Sequence, residues 1–378
     1  MKINCPDENC DFSRSNGGLP VYIIDDNIYD FRPTLIVSTV DKFARMTWEP
    51  KVGNLFGVDG KCDPPELIIQ DELHLISGPL GTITGLYEVA FRKLCEKDNI
   101  GAKIIASTAT IRNARSQIKA LYGKDFRQFP ASGINIRDSY FAQEADKNEK
   151  PTRLYNGILA PGKSVVTTQV RLYAILLFAS RYLKDMNFPD EVVDTYWTLV
   201  GYFNSLRELG GTVTQVYDDI QARYEFLYTS KFNYANFTFK KKQNEVIELT
   251  SGKSSSEISE TLQRLKESYK SSESCDIVLA TNMISVGIDI SRLGIMIITG
   301  QPKTNAEYIQ ASSRVGRKNP GILFTLYNPS RSRDISHYEQ FTNYHSTLYK
   351  YVEATSLTPF SPRARDKALH AVFISLCR

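Results

Sequence analysis

The sequence predicts an α/β protein with two parallel-sheet domains in tandem. Short apolar runs, typical of buried parallel strands, alternate with amphipathic helical segments along the chain. This pattern occurs twice, before and after a charged segment at 143–165 that contains Pro151, Pro161 and Gly162. A chain of 378 residues is long enough for two domains, each with its own core.

Composition excludes several classes of protein. A hydrophobic fraction of 42% and a charged fraction of 23% are those of an ordinary globular chain. The formal net charge of +4 is compatible with nucleic acid without indicating it. No apolar run reaches the roughly 18 residues that a membrane span needs, so we expect no membrane association. Six scattered cysteines and a start without an apolar signal segment favour the cytoplasm.

Residues 1–33 form a cysteine-containing lead-in. Cys5 and Cys10 resemble half of a zinc knuckle and are candidate Zn²⁺ ligands. A structural zinc site needs four ligands, and no second pair lies nearby in the sequence. Two interpretations stay open. Either the thiols bind no metal, or the other ligands precede Met1, in which case we expect the first domain to be incomplete at its N-terminus.

The first domain is predicted over 34–150. Strands are expected at 34–37, 67–70 and 103–106, and a helical stripe of apolar residues covers 81–94. Asp71 and Glu72 follow the second of these strands directly, at the sheet edge where α/β proteins bind ligands. Adjacent carboxylates suit phosphate chemistry, in which one holds Mg²⁺ and the next activates water. Another interpretation of this pair is an α/β enzyme of a different kind that uses Asp71 and Glu72 with a metal.

A linker and helix are predicted over 151–190, and the second domain over 191–330. Residues 170–178 show the periodicity of a packed helix. Strands are expected near 197–202, 246–249, 277–280, 295–298 and 322–326. Residues 331–378 are predicted to be a helical C-terminal extension whose last helix begins at Ser361 and Pro362. Because the sequence stops within an apolar helical pattern, we expect this extension to be partial.

The stretch 226–242 interleaves aromatic residues with lysines. It is either an aromatic and basic surface for nucleic acid or a strand with one buried face and a solvated charge run.

Hydroxyl residues end several of the predicted strands, where they suit contacts with phosphate oxygens. These residues are Ser38, Thr39, Ser107, Thr108, Thr281 and Thr299. Further along, Arg314 and Arg317 lie three residues apart. If that segment is helical, the two side chains share a face and point together at one anion.

These residues together resemble the core of a superfamily 2 helicase, with two RecA-like domains. The segment 71–74 is similar to the DEAH-type motif II with Leu in the Ala position, and 107–110 is similar to motif III with one residue inserted. Residues 281–290 resemble motif V, and 310–317 resemble motif VI with Ser313 in place of the usual Gly. Within this superfamily, the amino-acid sequences of these motifs are similar to those of helicase subunits of DISARM-type phage-defence systems.

The resemblance implies a motor that uses ATP and Mg²⁺, moves on nucleic acid, DNA more than RNA, and has other subunits of a defence complex as partners. Asp71 would hold Mg²⁺ through water, and Glu72 would be the general base. Arg314 and Arg317 would stabilise the γ-phosphate. The nucleotide would be contacted by Gly287, Asp289 and Gln310. The state of the nucleotide would be coupled to the second domain by His74, Ser107, Thr108 and Thr110. The phosphates of the nucleic-acid strand would be bound by Ser38, Thr39 and Thr281.

The family's phosphate loop, Gly-x4-Gly-Lys-Ser/Thr, has no counterpart in this sequence. Residues 251–254 end correctly, but Ile247 stands where the first Gly belongs, and the segment follows a strand of the second domain. We therefore expect this chain alone to hydrolyse ATP poorly. The alternative is a non-catalytic nucleic-acid-binding or scaffold module, although such a module has no physical need to keep Glu72 with both arginines.

Overall fold

The structure is a computed structural model that describes residues 3–108, 114–129, 152–231, 246–281, 290–353 and 356–377, together with 131, 134, 138–139, 142–143, 145 and 149. It divides into two compact units: residues 1–129 with 354–378, and residues 130–353. Within the described ranges, no helix combines the length and apolar character that crossing a bilayer requires.

The strands are β1 (Leu67–Gln70), β2 (Lys103–Ala106), β3 (Asp138–Ser139), β4 (Ala142–Gln143), β5 (Arg153–Leu159), β6 (Leu199–Phe203), β7 (Val246–Leu249), β8 (Ile277–Ala280), β9 (Ile295–Thr299) and β10 (Gly321–Tyr327). The α-helices are α1 (Asp25–Phe31), α2 (Gly78–Leu94), α3 (Ala114–Tyr122), α4 (Val165–Asp185), α5 (Asp190–Trp197), α6 (Leu206–Gln215), α7 (Gln221–Phe226), α8 (Ser255–Lys266), α9 (Asn305–Ser312), α10 (Ser332–Glu339), α11 (Phe341–Ser346) and α12 (Pro362–Cys377). Short 3-10 helices cover Val40–Thr47, Pro50–Phe56, Leu73–Leu75 and Leu348–Tyr351, and π turns cover Val216–Ile220 and Leu227–Lys231.

The first unit contains a two-stranded parallel sheet. β1 pairs with β2 in the register Leu67 to Lys103 through Gln70 to Ala106. The strand predicted at 34–37 is wrong, because these residues form a bend and extended chain outside any sheet. Leu35 and Val37 are largely exposed. An apolar run forms a strand only when a neighbouring strand takes up its backbone hydrogen bonds, and the described residues offer this segment none.

Helix α12 is part of the first unit. Its small side chains, among them Ala364, Ala368 and Val372, join the core that α2 and the 3-10 helix Val40–Thr47 also build. The segment before it is fixed as well, since the Gly78 N–H donates to the Ser356 carbonyl at 3.0 Å. The start of α12 at Pro362 agrees with the sequence prediction, as Pro is well suited to the first helical position.

The second unit is organised on a six-stranded parallel sheet in the order β5-β10-β9-β6-β8-β7. The two faces of the sheet pack into two different apolar clusters. Leu199 and Phe203 of β6 lie in one cluster, and Val200 and Tyr202 lie in the other. This alternation follows from the period of two in a strand. Helices α4, α6 and α7 pack on the Leu199 side. The α/β prediction with parallel sheets is confirmed in both units.

The structure divides the chain differently from the sequence-based boundaries. Residues 153–159, placed in a linker, form the edge strand β5, which pairs in parallel with β10 over seven residues. The stretch 331–378, treated as one extension, is split between the units near residue 353. Both differences have one cause: each segment is held by partners that are distant in sequence.

Candidate functional site

The segment that follows β1 has an unusual backbone. Glu72 adopts a left-handed conformation, with φ 51° and ψ 47°, which is costly for a residue that has a Cβ. The next residue anchors the turn, because the Leu73 N–H donates to the Ser107 carbonyl at 2.9 Å and its side chain is buried. Strain of this kind concentrates at functional sites, and the role of Glu72 stays a prediction.

The carboxylate of Asp71 is held in its ionised form. Its Oδ1 accepts hydrogen bonds from the Ser107 hydroxyl and from the Glu72 N–H, the latter at 2.9 Å. The hydrogen bond from Ser107, followed by that from the Glu72 backbone, lowers the pKa of Asp71 below its ordinary value. The carboxylate is exposed to solvent, so it is available to a cation.

His74 contacts two other residues that the sequence singled out. Its side chain is buried, and its Nδ1 lies 3.4 Å from the Thr108 hydroxyl and 3.4 Å from Glu72 Oε2. Both distances are at the long end for hydrogen bonds. His74, Thr108 and Glu72 therefore form one connected polar group, and Ser107 joins it to Asp71.

Gln117 supports this group and was not predicted. It lies on α3 with its side chain 1% exposed, and its Nε2 donates to the carbonyls of Leu73 at 3.2 Å and Ile76 at 2.8 Å. Leu73 is the first residue of the 3-10 helix Leu73–Leu75 and Ile76 is its C-cap, so Gln117 fixes the turn that carries His74. No local sequence signal marks this contact, because the partners are more than 40 residues apart.

Ser38 and Thr39 lie in extended chain before the 3-10 helix Val40–Thr47. The Ser38 hydroxyl donates to the Thr39 carbonyl at 3.1 Å, and both residues are exposed on the first unit. Among the described residues, no hydrogen bond joins either of them to Asp71 or Ser107. They are accessible, and their predicted contact with nucleic acid stays a prediction.

In the second unit, the prediction that Arg314 and Arg317 share a helix face is wrong. Helix α9 ends at Ser312, and both arginines lie in the turn that follows. The turn requires a glycine at position 316, where φ is +68° and an added Cβ would lie 2.8 Å from the Gly321 backbone. Gln310 lies in the last turn of α9.

An unpredicted residue, Arg153 of β5, holds this turn from the side. Its Nε donates to the Val315 carbonyl at 2.7 Å, and its terminal nitrogen donates to the Ser313 carbonyl at 3.3 Å. The Ser313 carbonyl also accepts from Arg317 Nε at 3.2 Å. The carbonyls on either side of Arg314 are thus bound to one guanidinium.

Thr281 follows β8 and is half-buried, with its N–H donating to the Leu249 carbonyl at 3.3 Å. Thr110, Gly287 and Asp289 lie outside the described residues, as do residues 232–245 of the aromatic and basic stretch. The predictions for them stay predictions.

Cys5 and Cys10 are half-buried free thiols near a turn in which the Cys5 N–H donates to the Phe12 carbonyl. Across the part of the chain that the structure describes, no three His, Cys, Asp or Glu side chains are grouped as metal ligands. The zinc site therefore stays a prediction.

Comparison with known proteins gives a consistent result. The helicase conserved C-terminal domain family matches residues 216–319, which include Thr281 and both arginines of the turn. DISARM protein DrmA of Bacillus paralicheniformis is 45% identical over 413 aligned positions, which cover 100% of this chain and 36% of DrmA. An uncharacterised ATP-dependent helicase of Methanocaldococcus jannaschii is 24% identical, covering 68% of this chain and 30% of the relative.

Among solved structures, the DUF1998 helicase MrfA bound to DNA and AMPPNP superposes with a TM-score of 0.62 at 16% identity, over 93% of this chain and 42% of MrfA. The chain resembles the core of a superfamily 2 helicase. The chain spans about a third of the length of the curated relatives it matches. The resemblance to DISARM helicases stated from the motifs is confirmed by the similarity to DrmA.

Proposed function

We propose that this helicase core is part of an ATP-dependent motor that acts on nucleic acid, with DNA as its track, in a phage-defence system of the DISARM type. The observation that carries the proposal is the polar group at the end of β1. The Asp71 carboxylate at the strand end accepts hydrogen bonds from the Ser107 hydroxyl and from the Glu72 N–H. His74 contacts both Glu72 and Thr108. The similarity to DrmA supports the biological setting, with other subunits of a defence complex as partners.

Each residue of the group has a distinct part in this proposal. Asp71 fits Mg²⁺, because an exposed carboxylate of lowered pKa is a hard oxygen ligand that stays charged. Bound Mg²⁺ supplies positive charge to phosphate oxygens. Glu72, with its side chain 40% exposed, accepts the proton of the attacking water. Through its contacts, His74 couples Glu72 to Thr108. We propose a role in the same coupling for Thr110.

The second unit supplies the positive charge. We propose that Arg314 and Arg317 stabilise the γ-phosphate as charge develops on it. Gln310, Gly287 and Asp289 contact the nucleotide. Ser38, Thr39 and Thr281 bind strand phosphates.

Cytoplasmic location follows from the same proposal, because the acting site needs cellular ATP. All six cysteines are free thiols, as a reducing compartment requires.

The proposal is tested by ATP hydrolysis in the full-length protein, with and without single-stranded DNA. We expect Glu72→Gln to lower kcat by about 10²-fold or more and Arg317→Ala to lower it by about 10³-fold. Matched controls are Glu66→Gln, at an exposed position just before β1, and Arg365→Ala, on an exposed face of α12. Neither should change the rate.

Binding of the DNA strand is measured separately, by titration at two salt concentrations. Contacts with phosphates make affinity fall as salt rises, and Thr39→Ala and Thr281→Ala should weaken binding at both concentrations. Hydrolysis that survives Glu72→Gln would contradict the motor. DNA binding without hydrolysis would instead favour the scaffold alternative.

A further inference from the structure

The turn between α9 and β10 is contacted by one side chain of β5, the edge strand that pairs with β10. Arg153 is the first residue of β5, and its two hydrogen bonds reach the carbonyls of Ser313 and Val315 at 3.3 and 2.7 Å. Helix geometry has ended at Ser312, so these carbonyls have no partner within α9. The guanidinium therefore replaces the hydrogen bonds that a longer helix would have provided.

The turn is closely packed around the Arg153 side chain. Gly316 and Gly321 approach so closely that a Cβ on Gly316 would lie 2.8 Å from Gly321 and 3.2 Å from Arg153 Cγ. The Gly316 N–H is also bound, donating to the Leu293 carbonyl at 2.9 Å. The aliphatic stem of Arg153 thus fills the side of a turn that has no space for a larger residue.

Arg153 also brings a positive charge to the turn. Within the described part of the second unit, Arg153 forms no ion pair, and its hydrogen bonds go to neutral carbonyls. Its positive charge is added to those of Arg314 and Arg317 on the same turn. A site of this sign favours an anion such as a terminal phosphate.

We propose that Arg153 is a positioning residue for Arg314 and Arg317: it sets the conformation of residues 313–317 in which both arginines act on the γ-phosphate. This inference rests on the proposed function. It requires an arginine, because a guanidinium binds two carbonyls in a fixed fork, whereas a lysine ammonium is a single point donor on a flexible stem.

The test uses the full-length protein with Arg153→Ala and Arg153→Lys. A displacement of about 1 Å at a reacting group costs on the order of 10²-fold in rate. We therefore expect kcat for ATP hydrolysis to fall about 100-fold in the alanine variant and about 10-fold in the lysine variant, with KM changed by less than about 3-fold. Amide hydrogen exchange at residues 313–317 should become faster in the same order, with the rest of the second unit unchanged.

Arg181→Lys is the matched control. Arg181 also donates to a backbone carbonyl, that of Trp197 at 3.0 Å, and pairs with Asp276, but it does not contact the turn. Its substitution should leave exchange at 313–317 as in the wild type. Unchanged exchange at 313–317 in Arg153→Ala overturns the inference, as does faster exchange throughout the unit, which indicates a structural role only. Failure of the motor itself is recognised separately, by hydrolysis that Glu72→Gln leaves intact.

Discussion

The Ser107 hydroxyl donates a hydrogen bond to the Asp71 carboxylate, joining the ends of the two parallel strands of the first unit. Both residues directly follow their strands at paired positions of the sheet, since Gln70 pairs with Ala106. The contact is therefore a consequence of register: a shift of one residue would turn one of the two side chains to the other face.

The first prediction concerns the pKa of Asp71. Because the hydrogen bond from Ser107 is the largest cause of its lowering, Ser107→Ala should raise this pKa toward the ordinary value of 3.8. A carboxyl carbon NMR titration measures the change. A lowered folded pKa stabilises the fold above the ordinary pKa and loses that effect as the pH falls through the folded value, so the variant should show less of this dependence. Thr108→Ala, which removes a contact with His74 instead, is the control. An Asp71 pKa that stays low in Ser107→Ala would show that the contact does not hold the charge.

A second prediction concerns Gln117, which secures the turn below Glu72. Gln117→Leu removes the side-chain donor of the buried Ile76 carbonyl and one of two donors to the Leu73 carbonyl, which still accepts from the Ile76 N–H at 3.0 Å. An unpaired buried carbonyl costs about 1–3 kcal/mol, so the free energy of unfolding of the first unit should fall by roughly 2 kcal/mol. Chemical denaturation measures it. Lys119→Leu, on an exposed position of the same helix, should have little effect. Equal stability of the two variants would mean that Gln117 is not a support.

The strands show how much the sequence determines. The central strands of the second sheet were predicted to within about two residues, because a strand buried on both faces is an uninterrupted apolar run; all four residues of β8 are buried. β5 was missed, since an edge strand tolerates the polar residues Arg153 and Asn156, which here serve as hydrogen-bond donors. Local pattern cannot reveal such a strand.

The candidate site shows the same division. Asp71, Glu72 and His74 could be singled out as candidate site residues because they lie within one segment of four residues. The helical placement of Arg314 and Arg317 was wrong, since it assumed that α9 continues past Ser312, whereas the chain turns there and reaches a left-handed conformation at Gly316. Arg153 acts on carbonyls 160 and more residues away, a relationship that exists only after the sheet has formed.

A third prediction tests whether α12 belongs to the first unit. Ala368 is buried in the core shared with α2, whereas its neighbour Leu369 is 50% exposed. Ala368→Glu places a charge in that core and should lower the free energy of unfolding of the first unit by about 3 kcal/mol or more. Leu369→Glu, the same change at the next position, should cost less than about 1 kcal/mol. Thermal denaturation compares the two. If both variants are equally stable, α12 does not pack as the structure has it.

The last prediction concerns Glu88 on α2. Burial raises the pKa of this carboxyl to about 7, against the opposing charges of Arg92 and Lys124, and its Oε1 has no hydrogen-bond partner. A folded pKa above the unfolded value of 4.5 means that the fold holds a proton which the unfolded chain has released. The contribution to stability is therefore fully present below pH 4.5 and is lost as the pH rises toward about 7. Glu88→Gln cannot ionise, so it should be more stable than the wild type at pH 8 by on the order of 1–3 kcal/mol and nearly equal to it at pH 5. Denaturation at both pH values measures the difference, with Glu66→Gln as an exposed control that should show no such pH dependence. A constant difference between variant and wild type would mean that Glu88 is ionised throughout, and that charges near α2 offset its burial.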